Sequence, residues 1–282
     1  MSGFRGIRWD LFRSFRFFGL WVRVLAPQER QCFLSPRLNR LRLWQRGDMS
    51  FLFRMGAVLW GILIGGCSAT GTFHVTQDFT KDSDPPQILL MPIDIELSEL
   101  SAAGVRSPKA DWTQSAKQHV VAAIRTNMTE RDTTILNYAS PAEGSIEEQE
   151  HAQLTKLYAA VANAILMHKY VPETALPTKK NKFDWTIGDN AGALRGKSDV
   201  EYALFIYMRD SYSSPSRVVT MAIGVLFVVF IPGGAQAGLA SLVDLKTGNI
   251  IWFNRMVSAT GDLRGPDPAR AAVNQLLKGF PL

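Results

Sequence analysis

The chain has 282 residues, of which 46% are apolar and 20% charged, and a formal net charge of +6. That length admits one large domain or two small ones, and the composition is that of an ordinary globular protein. The positive charge is local: residues 1–48 hold ten arginines against Asp10, Glu29 and Asp48, a net of +7, which leaves −1 for the remainder. The folded part is close to neutral, so electrostatics gives no reason to expect a nucleic-acid partner, and none is expected.

Residues 1–48 contain no lysine and mix Arg with Trp and Phe, as in "FRGIRWDLFRSFRFFGLWVRV". They read either as a cationic amphipathic helix on a membrane surface or as a segment upstream of the true translation start. The stretch beginning at Met49 favours the second. Its sequence, "MSFLFRMGAVLWGILIGGC", carries one positive charge at Arg54, an apolar run from Met55 to Ile64, and then Gly65 and Gly66. This is the layout of a secretory signal peptide over residues 49–66, and it is too short for a membrane span of about 20 residues.

"IGGC" resembles the lipobox of bacterial lipoproteins. The resemblance implies that Ile64 fills the aliphatic position, Gly65 and Gly66 the small ones, and that Cys67 is lipidated and becomes the first mature residue. Glycines let a peptidase approach the extended backbone closely. With Cys67 acylated and Cys32 lost, no disulfide is expected. Ser68 in place of the aspartate that retains such proteins in the inner membrane points to the periplasmic side of the outer membrane. Residues 67–86 are then the anchor and a polar tether ending at Pro85-Pro86, with a mean reach of roughly 25 Å for a free coil.

An α/β domain is expected over residues 87–282. Ile88–Met91 reads as a buried strand, and "DIELSELSAAGVRSPKA" as a charged loop. Asp111 is the expected N-cap of a helix to about Met128 that buries Ala116, Val120, Ala123, Ile124 and Met128. "TTILNY" reads as a second strand. Ser145 and Glu148 form a capping box before a helix ending near Tyr170, with Leu154, Leu157, Tyr158, Val161, Ile165 and Leu166 at helical spacing. "VEYALFIYMRD" reads as an interior strand, Tyr202, Leu204, Ile206 and Met208 on one face, Ala203, Phe205 and Tyr207 on the other. "LASLVDLKTGNIIWFNRM" is a hairpin turning at Gly248, and a last helix runs from about Ala269 to Lys278. Alternating helices and strands with a closing hairpin give a single domain with a mixed sheet flanked by helices.

The run Val218–Ile231 is apolar on all sides. It is either a fully buried element, a helix by preference, or an interface that enters a membrane or meets a sister subunit. Its candidate interface residues are Val218, Val219, Ile223, Leu226, Phe227 and Phe230.

No catalytic motif is present: there is no phosphate loop, GxSxG elbow or HExxH, and "GGAQAG" reads as a turn. His74, His119, His151 and His168 lack metal-ligand spacing, the last three falling at surface or boundary positions on helices, so neither metal nor cofactor is expected. Asp94, Glu96 and Glu99 form the one carboxylate cluster and the only candidates for acid–base work.

"ILLMP", "DIELSELSAAG", "YALFIYMRDSY" and "GLASLVDLKTGNIIWFNR" together resemble a group of proteobacterial outer-membrane lipoproteins. These look like distant relatives of the curli-secretion lipoprotein and of the N-terminal domain of the Tol-system translocation protein. The resemblance runs from about Gln87 to the C-terminus, is most specific over Ser241–Phe253, and carries no catalytic residues. It implies a non-enzymatic, lipid-anchored assembly or protein-binding factor. The alternatives are a homo-oligomeric ring associated with secretion or transport, and an envelope hydrolase using Asp94, Glu96 or Glu99.

Overall fold

The computed structural model describes residues 73–76, 79, 85–179, 182–196, 198–226, 234–259 and 261–282. The proposed lipidation site Cys67, its neighbours Ile64, Gly65 and Gly66, and the apolar residues Phe227 and Phe230 lie outside them. The elements are β1 (His74–Val75), β2 (Gln87–Leu90), β3 (Asp94–Leu100), β4 (Arg106–Pro108), α1 (Ala110–Thr129), β5 (Thr134–Asn137), α2 (Ile146–Lys169), β6 (Tyr202–Ser213), α3 (Pro215–Leu226), β7 (Gln236–Asp244), β8 (Ile250–Ser258) and α4 (Pro266–Leu276). Short 3-10 turns, the longest at Asp189–Arg195, fill the stretch between α2 and β6.

The strands make one mixed sheet of order β1-β8-β7-β6-β2-β5, with β3 also on β6 and β4 on β3. β2 and β3 both run parallel to β6, and β7, β8 and β1 follow antiparallel in turn. The interior strand β6 obeys the alternation of its sequence. Tyr202, Leu204, Ile206 and Met208 enter the core beneath α1 and α4, and Ala203 and Phe205 the core beneath α2. The domain is therefore a three-layer sandwich, with helices on both faces of the sheet.

Three local expectations give way to tertiary pairing. The charged stretch after β2 is a strand, not a loop. Ile88 pairs with Tyr202 but Asp94 with Tyr207, so β2–β3 carries one residue more than β6 between these points. That extra residue, beside Pro92, switches side-chain parity from Ile88 and Leu90 to Ile95 and Leu97, all four in the α1 core. Helix α1 starts earlier than expected: Thr113 N–H donates to the Lys109 carbonyl at 3.0 Å, which makes Lys109 the N-cap. Asp111 then sits in the first turn, favourable to the helix dipole without capping. Within the stretch expected to be a tether, His74 and Val75 pair with Phe253 and Trp252 of β8.

"GGAQAG", expected to be a turn, has Gln236–Gly238 in β7, and the last helix starts at Pro266, ahead of Ala269, whereas the capping box and the hairpin turn hold. Ser145 Oγ accepts from Glu148 N–H at 3.0 Å, while Glu148 reaches back to Gly144 N–H at 2.6 Å. The β7–β8 turn has Gly248 at φ +71°, with Lys246 N–H and Thr247 Oγ1 each donating to Asp244 at 2.7 Å. The first half of the apolar run is helical, the preferred alternative. Full burial fails at Val218 and Val219, which are 54% and 57% exposed.

Candidate functional site

The three carboxylates singled out by sequence do not converge. Asp94 and Glu96 are exposed on one face of β3, whereas Glu99 has the opposite parity. Asp94 pairs with Arg209 at 2.8 Å, and that guanidinium lies 3.8 Å from the Tyr207 ring. Glu99 pairs with Lys109 at 2.7 Å, beside Trp112. Each is an ion pair with a solvent-accessible carboxylate, worth little in stability.

The histidines are placed individually. His74 packs between Tyr170 and Phe183, with ring centroids at 5.1 and 5.8 Å. Burial first, then Lys169 and Arg255, push its pKa down to about 4. His151 is buried, contrary to the expected surface or boundary position, because α2 packs there against the 3-10 segment. One ring nitrogen meets Tyr138 Oη and the other the Ala193 carbonyl, both at 2.8 Å. His119 contacts the Leu263 carbonyl and His168 that of Thr174. Among the described residues no three His, Cys, Asp or Glu side chains gather as a metal site would require.

The sheet does assemble one polar cluster that no sequence motif marks. Asp210 lies near the end of β6, opposite Gln236 on β7, and only 4% of it is exposed. Its carboxylate accepts from Tyr212 Oη, from Gln236 Nε2 at 2.9 Å and from Leu263 N–H at 3.5 Å. Burial pushes the Asp210 pKa up to about 6 against these donors, and burial together with Asp210 pushes the Tyr212 phenol far up. Tyr212 Oη also accepts from Leu263 N–H at 2.9 Å. Arg264, held by Asp262 at 2.7 Å, stacks 3.9 Å from the Tyr212 ring and 4.8 Å from Trp112. The legible signal was an Asp near the end of a strand whose first seven residues are apolar, with a Tyr two residues on and therefore on the same face.

A cleft of about 130 Å³ opens beside this cluster, lined by Asp210, Tyr212, Gln236, Ala259 and Gly261 among others. That volume is below the roughly 300 Å³ at which small-molecule sites begin. Both partners of the Asp210–Tyr212 pair are engaged with Gln236 and Leu263, so the cluster clamps the β8–α4 connection onto the end of the sheet.

No protein-family model matches this sequence, and no curated protein matches it. Among solved structures, a PelC dodecamer from Paraburkholderia phytofirmans is similar at 10% identity and a TM-score of 0.32, over 74% of this chain and 96% of that one. A DUF4136 family protein from Bacteroides thetaiotaomicron is similar at 11% identity and a TM-score of 0.28, over 75% of this chain and 95% of that one. At this distance the function of the chain is read from its own residues.

Proposed function

We propose that this chain is a lipid-anchored accessory protein on the periplasmic side of the outer membrane, working without catalysis by binding other envelope proteins or its own copies. The observation that carries the reading is the spacing between Cys67, behind "LIGG", and the docked strand β1. His74 is seven residues on and already hydrogen-bonded into the sheet. The anchor is thereby fastened to the domain by a few residues instead of a loose tether, which suits a protein that works at the membrane surface. The non-catalytic part rests on how the polar groups are spent: Asp94 and Glu99 in ion pairs with Arg209 and Lys109, Asp210 and Tyr212 in a clamp.

Intact-mass analysis of protein purified from its membranes, with palmitate labelling of wild type and Cys67→Ala, tests the anchor. The expected mature species begins at acylated Cys67 and disappears in the variant. An unlipidated chain beginning at Met1 overturns the reading. Replacing Asp94, Glu96 and Glu99 together by their amides tests the rest. A strain with a deletion phenotype is expected to be restored by this variant, and failure to restore it by a folded variant returns the hydrolase.

A further inference from the structure

Helix α3 leaves β6 at one end of the sheet, and the N-terminal side of β1 faces that same end. β6 and β8 run in the same direction, because each is antiparallel to β7. Asp210, Gln236 and Ser258 stand side by side across the three strands, so the C-terminal ends of β6 and β8 share one edge. β1 is antiparallel to β8, with His74 opposite Phe253 and Val75 opposite Trp252. Traced backwards from His74, the chain therefore heads towards Ser258 and the α3 end. From the level of Phe253 to Ser258 is roughly 17 Å of strand at about 3.4 Å per residue. The seven residues back to Cys67 span at most about 24 Å. An acyl chain on Cys67 thus has the reach to lie at, or just beyond, the end of the sheet that carries α3.

That end also carries exposed apolar side chains. Val218 and Val219 on α3 are 54% and 57% exposed, and Val105, in the β3–β4 turn, 62%. The two elements are fastened together. Ser214 N–H donates to the Leu100 carbonyl at 2.8 Å, and buried Arg217 reaches the Ser101 carbonyl at 3.3 Å. Ser214 Oγ accepts from Arg217 N–H at 3.2 Å with Pro215 in the first turn, so the helix start is fixed where it meets the turn.

We propose that α3 and the β3–β4 turn form a second membrane contact, with Val105, Val218 and Val219 entering the lipid interface beside the acylated Cys67. This rests on the lipid-anchor reading and deepens it. The acyl chains hold the protein at the bilayer, and the apolar helix sets its orientation, β6 and β8 pointing their C-terminal ends at the lipid. An apolar helical face lying in the interface plane is a known mode of peripheral attachment and complements a lipid chain.

The test uses the mature chain purified from its membranes, carrying Val218→Cys, Val219→Cys or, as the distant control, Ile146→Cys. Ile146 is 76% exposed and begins α2. The N-terminal half of α2 meets the 3-10 segment, which packs at the β7–β8 turn, the opposite end of the sheet. Each variant is labelled with an environment-sensitive thiol dye and placed in vesicles of phosphatidylethanolamine and phosphatidylglycerol, with and without a doxyl-labelled lipid. The expected result is a blue shift and strong doxyl quenching at positions 218 and 219, and neither at 146. Equal, unquenched emission at all three positions overturns the proposal. A blue shift without doxyl quenching, accompanied by disulfide-linked dimers of unlabelled Val218→Cys, overturns it in favour of a second copy on α3. Dye uptake by Cys67 of the parent chain reports failure of lipidation separately, and its signal is subtracted before the depth of α3 is read.

Discussion

Replacing Asp210 by Asn tests whether the polar cluster at the end of β6 is as dry as its geometry implies. The carboxyl ionises near pH 6 in the fold and near 3.8 when free. The folded state therefore binds the proton more tightly, and stability falls as pH rises through the window between these values. Integrated over that window the loss is about 3 kcal/mol, at 1.36 kcal/mol for each tenfold difference in proton affinity. Asp210→Asn keeps an acceptor for Tyr212 and Gln236 but cannot ionise. The stability of the variant relative to wild type is expected to improve by about 3 kcal/mol between about pH 3.5 and pH 7. Urea unfolding of the purified chain at intervals across this range measures it by tryptophan emission, to which Trp112, 5.6 Å from the Tyr212 ring, contributes. A difference between the two proteins that stays constant with pH would refute the reasoning, because Asp210 would then ionise as it does in water.

Gly248→Ala places a Cβ on a residue at φ +71° and drives it into the Gly188 carbonyl, so urea unfolding should show a loss of about 2–4 kcal/mol. Tyr158→Phe removes the hydroxyl that meets Ser241 Oγ at 2.5 Å and strands a fully buried serine, costing about 1–3 kcal/mol. Adding Ser241→Ala should recover part of that loss, and strict additivity of the two substitutions would count against the pairing. His74 titrates near 4 in the fold and near 6.5 when free, so the docking of β1 is fully supported above about pH 6.5 and weakens as pH falls towards 4. Exchange at the Thr76 amide, bonded to the Ile251 carbonyl at 2.9 Å, should therefore rise on acidification after correction for intrinsic rates, and His74→Phe should abolish the rise.

The elements with strong periodicity were legible in the sequence. α1 and α2 show their buried faces at helical spacing, and β6 shows two apolar faces because helices cover it on both sides. Gly248 and Ser145 were readable because turn and cap chemistry act within a few residues. Asp94–Leu100 was not, since its strand character depends on lying against the second half of β6 and on an added residue near Pro92 that restores parity. The docking of β1 was hidden for the same reason: two residues have no pattern, and only the open edge of β8 makes them a strand.

By itself the sequence determined an α/β domain, its long helices, its interior strand and its closing hairpin, together with an expectation of lipidation at Cys67. Each of these depends on residues close together in the chain. Only the tertiary structure separated Asp94 from Glu99, joined Asp210 to Gln236 and Leu263, and put α3 at the end of the sheet that the N-terminal side of β1 faces. Those relations arise from strand register and direction, which bring together residues that the chain keeps far apart.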